Sequence, residues 1–322
     1  MAAYVAGHTP RASRNPHATR RFGSAYVVLQ GICSARGHVL SLKYFPGMVQ
    51  RNTMKSLFRR FSGKARPALP AHPASTPPGT RIYAVGDIHG RLDLFEEMIR
   101  SIEADDARRK PARTVIVLLG DLIDRGPDSA GVVARARAWA EQRVLKLIMG
   151  NHEEMFLDSF RKQGILRNFM RFGGQVTMMS YGIPQRALAE AEPEELQRLM
   201  ADAVPQEDRD FLAGFEKMVR YGDYVFVHAG VRPDMPLERQ TGQDCRWIRE
   251  PFLSHEGDFG GMVVHGHTVT EAPELMPNRI GIDTGAFMSG KLTAIGLEGT
   301  ERWLMQACEQ NDGDIACVAR AA

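Results

Sequence analysis

Two stretches, Gly86-Asp87-Ile88-His89-Gly90 and Gly120-Asp121-Leu122-Ile123-Asp124-Arg125-Gly126, decide how this chain is read. Each follows at once on a short apolar run, residues 81–85 and 114–119. Short apolar runs rich in Val, Ile and Leu and bounded by glycine read as buried strands. Between them Leu92, Phe95, Met98, Ile99 and Ile102 recur at helical spacing. A second helix is expected over 127–139, opened by Pro127, whose fixed φ suits a first turn. Residues 144–149 are a third strand candidate, which runs into Gly150-Asn151-His152-Glu153 with a helix starting near His152. The order β-α-β-α-β-α predicts an α/β layered fold. Residues 153–220 read as mostly helical, broken by Gly173, Gly174, Gly182 and Pro184. Strands are then expected at 224–227, 262–264, 279–282 and 292–297. The chain shows no internal repeat.

Two later strands also end in polar clusters, His228-Ala229-Gly230 and His265-Gly266-His267-Thr268. Ligands of open α/β sheets bind outside the carboxyl ends of the strands, so the five clusters are expected to converge. Asp87 and His89, one residue apart after a strand, can turn to the same side. Asp121 can give one oxygen to each of two cations, while Asn151, His228 and His267 offer neutral oxygen and nitrogen donors. Such a mixed donor set suits Mn, Fe or Zn better than Ca. Two ions ~3.5–4 Å apart make the hydrolytic clamp that holds attacking and leaving oxygens. Singly, each signal has an ordinary explanation: a surface turn for Asp-x-His or Gly-Asp, a helix N-cap for Asn151, a core side chain for His228. Five of them at five strand ends point to a two-metal site.

Composition narrows the classes. The chain has 322 residues, which fits one large domain or a domain with tails. No apolar run approaches the roughly 20 residues of a spanning helix. The four cysteines, Cys33, Cys245, Cys308 and Cys317, form no C-x-x-C pair. That excludes a disulfide-dense scaffold or zinc ribbon and fits a reducing, cytoplasmic setting. The motifs G-x-x-x-x-G-K-[ST], G-x-G-x-x-G and G-x-S-x-G are absent, so P-loop, dinucleotide-binding and serine-hydrolase chemistry lack support.

The net charge of +3 hides an asymmetry. Residues 1–80 hold 12 of the 41 Lys and Arg and none of the 38 Asp and Glu, which leaves residues 81–322 at a net −9. An acidic body is not expected to bind nucleic acid. The first 80 residues read as a basic arm ending in a stiff linker with Pro67, Pro70, Pro73, Pro77 and Pro78. Disorder, attachment to an anionic surface and an organellar transit peptide all remain open for it, as does a translation start at Met54. The domain is expected to start near Arg81 and to end at Cys308, with 309–322 as a tail.

The clusters at 86–90, 120–126 and 150–153 resemble those of the calcineurin-like metallophosphoesterases, in particular the phosphoprotein phosphatase branch with its bacterial members. The resemblance spans about residues 81–304 and implies a central mixed β-sandwich flanked by helices, with 154–220 as a helical cover. It implies one metal held by Asp87, His89 and Asp121, and a second by Asp121, Asn151, His228 and His267. It further implies that Arg125 and Arg249 hold phosphate, and that His152 is the general acid, oriented by Asp124. Arg232 is a second candidate for phosphate, and His265 is not a matched ligand. Phe169, Phe172, Met178, Met179 and Tyr181 either line the cover or pack between helices. The implied reaction is attack of a metal-bridging hydroxide on phosphorus, with Mn, Fe or Zn as the two ions. The expected function is serine/threonine protein phosphatase, acting on a phosphorylated protein or small phosphoester. Symmetrical diadenosine tetraphosphate hydrolysis is the alternative within the family. A non-catalytic, metal-bound adaptor for phosphoproteins is the alternative from another class.

Overall fold

The computed structural model describes residues 72–322. The readings of the basic arm, including a start at Met54, therefore lie outside the described residues except for 72–80. In chain order the strands are β1 (Thr80–Val85), β2 (Arg113–Leu118), β3 (Leu145–Leu147), β4 (Met218–Tyr221), β5 (Tyr224–Val227) and β6 (Met262–His265). They continue with β7 (Glu274–Leu275), β8 (Arg279–Gly281), β9 (Lys291–Glu298), β10 (Glu301–Glu309) and β11 (Ile315–Ala321). One sheet has the order β11-β10-β9-β1-β2-β3, the other β4-β5-β6-β8-β7. The β1-β2-β3 and β5-β6-β8 sets are parallel, and antiparallel strands extend both sheets.

Period-two alternation explains the layering. In β1, Ile82 and Ala84 join Val115, Val117, Phe226, Val264, Ile280 and Ile295 in a core between the two sheets. Tyr83 and Val85 point the other way, into a larger core under helices α1 (Leu92–Arg108) and α2 (Ser129–Ala140). A third cluster, with Val225, Val227, Val263 and Phe252, covers the far face of the second sheet. Strands buried on both faces need continuous apolar runs, which is why 114–119 read so clearly.

Several boundaries differ from expectation for visible reasons. α2 starts at Ser129 because the Asp128 side chain accepts from the Gly131 N–H at 2.8 Å and caps the helix, leaving Pro127 outside it. Residues 309–322, read as a tail, include β11, whose Cys317 pairs with Ala307 of β10. The end of the linker also belongs to the body. Ala74 is buried between the sheets, and the Ser75 N–H and hydroxyl both donate to Asp223 Oδ2.

The stretch after β3 is helical as expected up to β4: α3 (Asn151–Ser159), α4 (Gln163–Phe169), a π-turn (Met170–Gly174), α5 (Gln175–Ser180), α6 (Gln185–Glu190), α7 (Pro193–Ala203) and α8 (Gln206–Ala213). Phe169 and Met178 are buried in the core, and Tyr181 donates to Asp208, so these three pack between elements. Phe172 and Met179 are exposed. Among the described residues no helix is long and apolar enough to cross a membrane.

Candidate metal centre

β1, β2, β3, β5 and β6 all deliver their following residues to one place. His89 Nε2 and His228 Nε2 lie 3.6 and 3.4 Å from Asp121 Oδ2. Asn151 Oδ1 lies 3.0 Å from His228 Nε2, and the backbone N–H of His267 donates to Asp87 Oδ2 at 3.0 Å. The six side chains expected as ligands thus meet around Asp121, and all are buried. Two overlapping groups bring ligand atoms within 4.8 Å of one another: His89, Asp121 and His152, and Asp121, His228 and His267.

Among the described non-glycine residues, positive φ occurs here and nowhere else. His89, Asp121, Asp124, Arg125 and His267 have φ of 47°, 50°, 73°, 72° and 62°. Each such conformation costs of order 1–3 kcal/mol and persists only where surrounding structure enforces it. Part of that enforcement is Glu153. Its fully buried carboxylate accepts from the N–H groups of Gly150 and Asp121 on Oε2 and of Leu122 on Oε1, at 2.7–3.0 Å. At Gly266 any side chain would collide with Asp87 Oδ1, so the strand end can approach the carboxylate only as glycine.

Hydrogen bonds on the outer ring nitrogens fix the histidines for binding. His89 Nδ1 donates to the Ile123 carbonyl and His228 Nδ1 to the Leu119 carbonyl, each at 2.8 Å. Both leave Nε2 as a lone-pair donor facing the centre. Burial lowers the pKa of His228 to about 3 and of His267 to about 2, and holds His89 well below its usual value. The shifts favour the neutral rings that a metal ion requires of its imidazole donors. The carboxyls move the other way. Burial pushes Asp87 and Asp124 well above the ordinary range, raises Asp121, and takes Glu153 to about 8.

Three observations test whether cations fit. Asp87 Oδ1 and His267 Nε2 are buried without any hydrogen-bond partner. At the Asn151–His228 contact two acceptors face each other, because His228 already donates from Nδ1. Unsatisfied buried acceptors are costly, and a cation among them removes that cost while favouring ionised carboxyls. The residues fit a divalent metal pair.

Beside these groups stands a proton-bearing pair. His152 Nδ1 and Asp124 Oδ2 are 2.6 Å apart, and Thr177 Oγ1 donates to Asp124 Oδ1 at 2.5 Å. Arg125 spans the mouth, donating from Nη1 to His89 Nε2 and from Nη2 to His152 Nε2, both at 2.9 Å. Burial lowers the pKa of His152, and the Asp121 charge opposes that shift. Arg249 is exposed and close enough for its charge to act on Asp121 and His267. Arg232 instead pairs with the exposed Asp234 at 2.7 Å. His265 is spent on its own chain: Nδ1 bonds Gly266 O, and the ring packs edge-on to Phe252.

Residues 80–277 match the family model described as calcineurin-like phosphoesterase. The chain belongs to that family. A protein of Salmonella typhimurium named serine/threonine-protein phosphatase 1 is 29% identical over 224 residues, covering 66% of this chain and 89% of its own length. An asymmetrical bis(5'-nucleosyl)-tetraphosphatase PrpE of Geobacillus thermodenitrificans is 25% identical over 238 residues (66% and 89%). A symmetrical bis(5'-nucleosyl)-tetraphosphatase of Nitrosospira multiformis is 24% identical over 270 residues (67% and 92%). A solved structure assigned as a diadenosine tetraphosphatase has the same fold, with a TM-score of 0.51 at 20% identity, over 77% of this chain and 98% of that one. This phosphoesterase is accordingly a hydrolase of phosphoric esters, from a family that uses divalent metal ions.

Four residues beside the candidate centre were not singled out from sequence. Glu153 stood in a quoted motif without a role. Thr177 lies in a helical stretch that carries no signal for it. Asp283 follows β8 between Gly281 and Gly285, a carboxylate near a strand end as at Asp87 and Asp121 but with Ile282 between it and the glycine. Phe287, four residues on, sets its ring edge-on to His89 at 5.3 Å and under the Arg125 guanidinium at 4.7 Å.

Proposed function

We propose that this chain is a dinuclear, metal-dependent phosphomonoesterase of the serine/threonine protein phosphatase type. Asp87, His89 and Asp121 would hold one ion, and Asp121, Asn151, His228 and His267 the other. Imidazole, amide and carboxylate donors favour Mn, with Fe or Zn as close substitutes. When bound, such a pair supplies a water nucleophile at neutral pH and neutralises phosphoryl oxygens. Arg125 and Arg249 bind and orient the remaining oxygens through planar, bidentate guanidinium groups. Once Arg125 turns to phosphate and Nε2 takes up a proton, the imidazolium of His152 would give that proton to the departing oxygen as the P–O bond breaks, with Asp124 holding its Nδ1–H.

The observation that carries this reading is the His152–Asp124–Thr177 chain. A serine or threonine alkoxide is a strongly basic leaving group and needs such an acid. A nucleoside polyphosphate leaves as a weak base and needs it far less. The dinucleoside-polyphosphate reading keeps its support from the tetraphosphatase-named relatives, whose metal donors would be shared. Release of phosphate from a phosphoserine peptide, measured beside release of nucleotide from diadenosine tetraphosphate, separates the two. Binding of the phosphopeptide without turnover of any phosphoester would favour an adaptor.

A further inference from the structure

Asp283 is a buried charge with no place in the scheme above. It is 2% exposed, one residue past Ile282 of the inter-sheet core, and its Oδ1 accepts from the Gly285 N–H at 2.9 Å. The residue before it runs against the residue before Asp87: a Cβ on Gly86 would sit 2.6 Å from the Ile282 carbonyl oxygen, and the charges of the two carboxyls act on each other. Asp87 itself has one oxygen held by the His267 N–H and one with no partner. Two acceptor-only carboxylates facing each other out of water repel strongly. The fold nevertheless pins both with backbone donors. The charge of Arg125 acts on both, but its own hydrogen bonds go to His89 and His152.

We propose that Asp283 is a positioning residue of the metal centre, which orients Asp87 and adds a third carboxylate to the Asp87–His89 side, so that the cation there is held more tightly than without it. This rests on the two-metal reading above. Standing beside Asp87, Asp283 takes the place of the outer groups that orient ligands in other metal sites, where removal typically costs 10–100-fold in affinity. The bland alternative is a protonated acid pair that only ties β8 to β1. An isosteric amide would keep such a pair intact, which makes the two roles separable.

The experiment is Mn²⁺ titration of the metal-stripped full chain by calorimetry, with electron paramagnetic resonance to count bound Mn²⁺ ions. The wild type should bind two ions. D283N should weaken one binding step by about 10–100-fold and leave the other within about threefold, with an unchanged Tm of the stripped protein. D283E, which keeps the charge, should recover part of the loss. Unchanged affinities in D283N, or equal weakening of both steps, would overturn the proposal. If D283N fails to fold, D283E decides, and its losing both ions equally would overturn it as well. A wild type that binds fewer than two ions would instead sink the two-metal reading itself, a result visible before any variant is made.

Discussion

Replacing His152 by asparagine separates acid catalysis from every other function of the centre. The ring is held at both ends, Nδ1 by Asp124 at 2.6 Å and Nε2 by Arg125 at 2.9 Å. Asparagine keeps a polar group but has no proton to give. General acids contribute ~10²–10⁴ in rate, which is ~2.7–5.4 kcal/mol of barrier. That contribution scales with the basicity of the leaving oxygen. On a phosphoserine peptide, kcat of H152N should fall by ~10²–10⁴. On p-nitrophenyl phosphate, whose phenolate leaves unaided, the fall should be about 10-fold or less. Bound metal should stay at the wild-type level, because His152 shares a neighbourhood with His89 and Asp121 without belonging to the proposed ligand set. The assay is steady-state kinetics on both substrates with metal analysis of the same samples. An equal loss on both substrates would refute the general-acid role, and loss of one ion would make His152 a ligand.

Two further outcomes are expected. T177V removes the hydroxyl that donates to Asp124 Oδ1 and accepts from the Asp124 N–H, so kcat on the phosphoserine peptide should fall ~10-fold, about 1.4 kcal/mol, with metal content unchanged; an unaltered kcat would show that the helical cover does not position the acid. D106N strips the Arg81 guanidinium, 1% exposed, of one of its two carboxylates and should cost about 3 kcal/mol in urea unfolding at pH 7. Burial alone would raise the Asp106 pKa, but bonds from Thr114, Arg81 and Arg143 outweigh it and hold the group below its ordinary 3.8. Its contribution is therefore complete above that value and lost as pH falls through the lower folded pKa, so the gap to wild type should close in acid. A gap that persists unchanged however far the solution is acidified below the ordinary aspartate pKa would contradict this.

How much could be read in the chain beforehand differs by residue, for physical reasons. Asp87, His89, Asp121, Asn151, His228 and His267 were legible because a buried parallel strand leaves a continuous apolar run, and glycine marks where it stops. Asp283 was less legible, since Ile282 separates it from Gly281, only one carboxylate follows β8 and no histidine stands beside it. Thr177 was not legible. Its role depends on where the π-turn at Gly173 sends α5, and a Cβ on that glycine, at φ 120°, would sit 2.7 Å from the Arg125 backbone nitrogen. β11 was missed because Ala316, Ala319 and Ala321 give it no strong alternation; its place comes from pairing with β10. The Asp128 cap outranked Pro127 as the start of α2 because a side-chain acceptor satisfies an otherwise orphaned N–H, which proline at that point cannot do.

The most direct measurement is the location of metal in crystals of the Mn²⁺-loaded protein by anomalous scattering, compared with D121N. Two peaks per chain are expected, one touching Asp87, His89 and Asp121, the other Asp121, Asn151, His228 and His267, with both weakened in D121N. A single peak, or peaks that leave Asp121 on neither ion, would contradict the account at its root.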